Sequence, residues 1–82
     1  MIKIYSAKYC PFCRMAIDTL FQQGVSFEVI DVTNDEETKA HIIEKTGCNT
    51  LPQIFVKDQF IGGNSDLNLL LSEGKFEQLL KE

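Results

Sequence analysis

Eighty-two residues are expected to form a single domain, 1–82, near the lower limit at which a chain buries a self-sufficient core. The composition, 44% hydrophobic and 24% charged without repeat or biased run, is that of a globular protein. A net charge of −4 excludes the surplus of Lys and Arg that nonspecific phosphate binding requires, so no nucleic-acid partner is expected.

The opening "MIKIYSAKYC" lacks the apolar run of a secretory signal, and no stretch approaches the length of a membrane span. The expected setting is a reducing cytoplasm, away from membrane. Three cysteines are an odd count, which argues against a disulfide scaffold and towards redox or metal chemistry. The first acidic residue is Asp18, so Lys3, Lys8 and Arg14 lie in a stretch without an opposing charge. Such a strip suits an anionic substrate or a thiolate.

In chain order, "MIKIY" alternates and predicts a strand through Ile2 and Ile4. Cys13, Ala16, Ile17, Leu20 and Phe21 fall at helical spacing and predict one buried face. Pro11 suits the first turn of that helix and Gly24 its end. "VSFEVIDV" alternates through Val25, Phe27 and Val29, giving a second strand parallel to the first. In "TNDEETKAHIIEKTG", Thr33 with Glu36 or Asn34 with Glu37 offers a capping box, Ala40 and Ile43 face the core, and Gly47 ends the helix. "QIFV" and "FIGG" form a hairpin around "KDQ". "NSDLNLLLSEGKFEQLL" reads as one or two helices capped by Asn64 or Ser65, with Leu67, Leu70, Leu71, Phe76 and Leu79 inward. The predicted order is β-α-β-α-β-β-α on one small sheet.

The chemistry centres on "KYCPFCR". A Cys-x-x-Cys pair after a strand and at a helix start is the setting of a redox pair. Cys10 at the cap can accept hydrogen bonds from the N–H groups of Phe12 and Cys13, with the positive end of the helix behind them and Lys8 nearby. Each of these favours thiolate over thiol. At an ordinary cysteine pKa only about 3% is ionised at pH 7, so full ionisation gains roughly thirtyfold. A drop of about 3.5 units costs roughly fortyfold in nucleophilicity. The two nearly cancel, and the larger gain is that Cys10 becomes a good leaving group. Cys13, one turn in, is expected to stay a thiol until needed.

Two more segments suit a substrate. Pro52 in "NTLPQ" is a candidate cis peptide, which would present the backbone of Leu51 to an incoming peptide by strand addition. "GGNSD" places two glycines before a polar helix start, an arrangement that suits a carboxylate.

Together, Cys10-Pro11-Phe12-Cys13, Thr50-Leu51-Pro52, and Gly62-Gly63 followed by Asn64-Ser65-Asp66 resemble the glutaredoxin family, dithiol class, over nearly the whole chain. The resemblance implies an α/β thioredoxin fold, a small four-stranded mixed sheet flanked by helices. It implies an enzyme that uses glutathione as co-substrate, with Cys10 as nucleophile and Cys13 as resolving thiol, and no metal. Leu51 would pair with the cysteinyl part of glutathione beside Thr50 and a cis Pro52. Phe12 would line the groove, and Lys8 and Lys39 would face the glycyl carboxylate. Ser65 and Asp66, with the backbone around Gly63 and Asn64, would hold the γ-glutamyl end.

The implied partners are glutathionylated or disulfide-containing proteins, with ribonucleotide reductase a frequent one in the family, and the implied state is a monomer. Four positions depart from the usual pattern: Phe12 for Tyr, Leu51 for Val, Asn64 for a cysteine, and Cys48, an unfamiliar place for a third thiol. Cys48 reads first as a small core residue and second as the site of a regulatory mixed disulfide. The main alternative function is iron–sulfur cluster binding or delivery, which Pro11 and the competing Cys10–Cys13 pair disfavour. A zinc site from Cys10, Cys13, Cys48 and His41 lacks the usual spacing.

Overall fold

The computed structural model describes residues 1–81. It runs β1 (Ile2–Ser6), α1 (Pro11–Gln22), β2 (Phe27–Asp31), α2 (Glu36–Thr46), β3 (Gln53–Val56), β4 (Gln59–Gly62), α3 (Asn64–Ser72) and α4 (Lys75–Lys81). The expected order holds, and the last helical stretch divides in two at Gly74, whose φ is 71°. The strands lie in the order β2-β1-β3-β4, with β1 parallel to β2 and antiparallel to β3. Lys57 and Asp58 both take positive φ, 51° and 68°, the backbone of a tight two-residue hairpin that matches the strand twist.

Register follows from the alternation. Ile2 stands opposite Val56 and Ile4 opposite Ile54, all four on one face. Ala16 and Leu20 of α1, Leu67 of α3 and Phe76 of α4 close over them as the core. On the other face Phe55 packs between Tyr5 and Phe60 at centroid distances of 5.6 and 5.3 Å, beneath Lys45 of α2. Three helices thus cover one face of the sheet, and α2 the other.

Four expectations about side chains are corrected. Phe21 is 77% exposed, because it stands about 100° round the helix from the buried Leu20. Ala40 is exposed and Ile42 is the buried residue of α2; two residues apart on a helix are about 200° apart, so only one of them can face the sheet. Val29 lies 44% exposed on β2, an edge strand. Neither predicted capping box forms on α2. Thr33 is engaged instead by Asp31, which receives both its N–H and its hydroxyl at 2.8 and 2.5 Å. Asp35 takes the cap and accepts from Thr38 N–H at 3.1 Å.

At α3 the cap is Gly63, not Asn64 or Ser65. Its N–H donates to Asp66 Oδ2 at 3.0 Å. A side chain there would begin 3.3 Å from the Pro52 carbonyl oxygen, so the close approach of these two segments favours glycine.

Candidate active site

Pro11 at the first helical position leaves Cys10 as the cap of α1, in extended backbone with φ −105° and ψ 106°. Of the two N–H groups expected at its sulfur, the Cys13 N–H donates at 3.2 Å. The Cys10 thiol in turn donates to the Leu51 carbonyl at 3.5 Å, across 41 positions of chain. Cys13 is only 1% exposed. Burial pushes its thiol up to about 12, and the Cys10 sulfur beside it pushes the same way. Cys13 therefore holds its proton while Cys10, half-buried at the surface, is left to react.

The loop before β3 is organised from inside. Gln53 is fully buried at 0% exposure. Its Nε2 donates to the carbonyls of Cys48 at 2.6 Å and Thr50 at 3.3 Å, while its Oε1 accepts from the Thr46 hydroxyl at 3.0 Å. One amide thus satisfies the end of α2 and the loop together, as buried polar groups require. The Leu51–Pro52 peptide is cis.

Beyond the loop lies a groove of about 380 Å³, with Phe12, Thr50, Leu51 and Pro52 on one side and Gly62 to Asp66 on the other. Gly62 has φ 116°, and a side chain there would run into that of Asp66. Asn64, the first residue of α3, is 9% exposed, and its Oδ1 has no hydrogen-bond partner among the described residues. Its neighbours Ser65 and Asp66 are exposed.

Most of the predicted site residues therefore converge: Phe12, Thr50, Leu51, Pro52, Gly63, Asn64, Ser65 and Asp66 share the groove. Lys39 lines an adjoining hollow with Cys10, Thr50 and Leu51. Its ammonium donates to the Tyr9 hydroxyl at 3.1 Å, which holds Lys39 above its usual range. Lys8 does not line that hollow. It lines a separate hollow with Cys10, Cys13, Arg14 and Asp31.

The reading of Cys48 as a core residue is corrected. It is half-buried and lines the groove, because the loop held by Gln53 turns its backbone carbonyl inward. His41 lies beside Asp35, Glu37 and Thr38 rather than near the cysteines. Sequence reasoning missed Gln53 and Tyr9. A lone amide opening the apolar run "QIFV" was the available signal for the first, and Tyr9 had none.

A buried thiol and a half-buried one at a single helix start, on this mixed sheet, are the arrangement of a thiol–disulfide oxidoreductase of the thioredoxin fold. The crystal structure of the buckwheat glutaredoxin–glutathione complex superposes with a TM-score of 0.91 over 98% of this chain and 76% of that one, at 23% identity. The glutaredoxin family model matches residues 2–61. Glutaredoxin-2 of Schizosaccharomyces pombe is 38% identical over 99% of this chain and 76% of its own. Glutaredoxin 3 of Escherichia coli K12 is 36% identical over 98% and 96%. The chain belongs to the glutaredoxin family, and is an enzyme of the glutathione-dependent disulfide oxidoreductase class.

Proposed function

We propose that the enzyme reduces protein–glutathione mixed disulfides and protein disulfides in the cytoplasm, with Cys10 as nucleophile and Cys13 as resolving thiol. The observation that carries this reading is the opposed state of the two sulfurs. Cys10 caps a helix and receives the Cys13 N–H, while Cys13 is buried with its proton held.

In the first route the Cys10 thiolate attacks the glutathione sulfur of a mixed disulfide. The S–S bond breaks, and the substrate protein's thiolate departs with the electron pair and takes a proton. A second glutathione thiolate then attacks the Cys10-bound glutathione, releasing the Cys10 thiolate and glutathione disulfide. In the second route Cys10 attacks a protein disulfide. The S–S bond breaks, and one substrate thiolate departs and takes a proton. Cys13 then gives its proton to solvent, attacks the Cys10 sulfur, expels the second substrate thiolate and closes a Cys10–Cys13 bond. Two glutathiones reduce that bond as they leave joined as glutathione disulfide. A sulfur stabilised at a helix cap is a good leaving group, and both routes need it at the release step.

For binding, the Leu51 backbone beside Cys10 suits the cysteinyl part of glutathione by strand addition. Phe12 and Pro52 wall the groove. Gly63 N–H is already held by Asp66, so the N–H groups of Ser65 and Asp66 at the start of α3 are the donors for the γ-glutamyl carboxylate. Lys39 stands nearest the glycyl end, and Lys8 contributes its field from the neighbouring hollow. Protein substrates of the ribonucleotide reductase kind fit the second route.

Single-turnover and steady-state assays on two variants test the roles. Cys13→Ser is expected to keep most of the turnover of a glutathionylated protein and lose disulfide reduction. Cys10→Ser should lose both, and substantial turnover by it on the glutathionylated substrate would overturn the assignment.

A further inference from the structure

We propose that Cys48 is a modification site: its sulfur takes a glutathionyl group from glutathione disulfide, and that group lies in the substrate groove and blocks it. This rests on the assignment of the groove to glutathione. Three observations converge. Cys48 is half-buried and lines the groove together with Thr50, Pro52 and Asn64. Its Sγ lies 3.3 Å from the Thr50 hydroxyl, a group able to donate to a thiolate. Asn64, also in the groove lining, keeps a carbonyl oxygen out of water with no hydrogen-bond donor to it among the described residues, and an N–H group of a seated tripeptide would supply one. Thr50's hydroxyl, followed by its N–H, also holds the Cys48 thiol below its usual range.

In the reaction the Cys48 thiolate attacks one sulfur of glutathione disulfide. The S–S bond breaks and a bond from Cys48 Sγ to the glutathione sulfur forms. The other glutathione departs with the electron pair and is protonated by solvent. Cys48 is oxidised, and half of the disulfide is reduced. Because the oxidant is the product of the enzyme's own cycle, occupancy rises when that product accumulates, and the enzyme slows.

The test uses the Cys10→Ser/Cys13→Ser chain, in which Cys48 is the one remaining thiol. The folded protein is incubated with glutathione disulfide and, separately, with bis(2-hydroxyethyl) disulfide. Each rate is normalised to the same reaction in urea, and the adduct is placed by peptide mass mapping. Groove-guided modification predicts one adduct on Cys48 and a preference of about tenfold for glutathione disulfide, the value of one well-placed hydrogen bond. Asn64→Ala should erode that preference.

In the otherwise native enzyme, prior exposure to glutathione disulfide should lower the ratio of activity after treatment to activity before. The same ratio in Cys48→Ser should stay near one. No adduct, equal normalised rates, or a loss that Cys48→Ser does not relieve would each overturn the proposal. Absence of any glutathione-dependent turnover in untreated enzyme would instead sink the functional reading, while the adduct measurement still decides this one.

Discussion

At the scale of single residues, two chemically identical side chains one helical turn apart are made different by their surroundings. Cys10 touches backbone groups of two segments, whereas Cys13 touches the core. The difference has a consequence for stability. A Cys13 thiol that ionises near 9.0 in the unfolded chain is raised to about 12 in the fold. Above pH 9 the unfolded chain has therefore released a proton that the native state keeps, so unfolding gains as pH rises. The contribution of Cys13 is complete below pH 9 and declines towards pH 12. Urea midpoints recorded under reductant across that window should show the advantage of the native enzyme over Cys13→Ala shrinking. A constant gap would mean that Cys13 is not held as a buried thiol.

At the scale of elements, the site depends on how the loop between α2 and β3 is held. Gln53→Leu keeps the size of the side chain but strips the amide donor from the Cys48 and Thr50 carbonyls, while the Thr46 hydroxyl keeps the Ile42 carbonyl. Unpaired buried groups cost about 1 kcal/mol or more each, so a loss of about 2 kcal/mol is expected in denaturant titration. The apparent KM for glutathione should rise with it, since the same loop carries Leu51. Stability lost without a change in KM would separate the loop's packing from its role at the site.

The elements themselves were legible in the sequence because alternation and helical spacing are properties of neighbouring residues. The two glycines that end α1 and α2 and the existence of the hairpin were legible for the same reason, although its turn is Lys57 and Asp58 alone, with Gln59 already in β4. Caps were not. Thr33 is a good cap by type, but Asp31 engages it first, and that competition exists only once β2 and the turn are in place. The cysteine pair, Leu51 and the "GGNSD" segment were legible as a set, since each carries a backbone requirement. The position of Cys48 was not, because it depends on hydrogen bonds made by Gln53 from within the sheet.

At the scale of the whole molecule, charge and reactivity are laid out against each other. The net charge of −4 repels an anionic co-substrate at long range, while Lys8, Arg14 and Lys39 border the hollows around Cys10. Local attraction must therefore act within a Debye length, about 10 Å at 0.1 M salt. Raising ionic strength from about 0.01 to 0.5 M is expected to raise the KM for glutathione by about threefold. Lys39→Met should flatten that dependence more than Lys8→Met, because Lys39 shares its hollow with Leu51. Identical slopes for native enzyme and both variants would remove the lysines from the binding step.

The β3–β4 hairpin has its two ends at the groove and its turn at the far side of the sheet, with Ile54 beside Gly62 and the Pro52 oxygen close to Gly63. It works as a calliper whose jaws were set when the strands zipped. Widening the jaws would mean breaking the main-chain ladder between the strands, so side-chain replacement along them would retune chemistry far more readily than width.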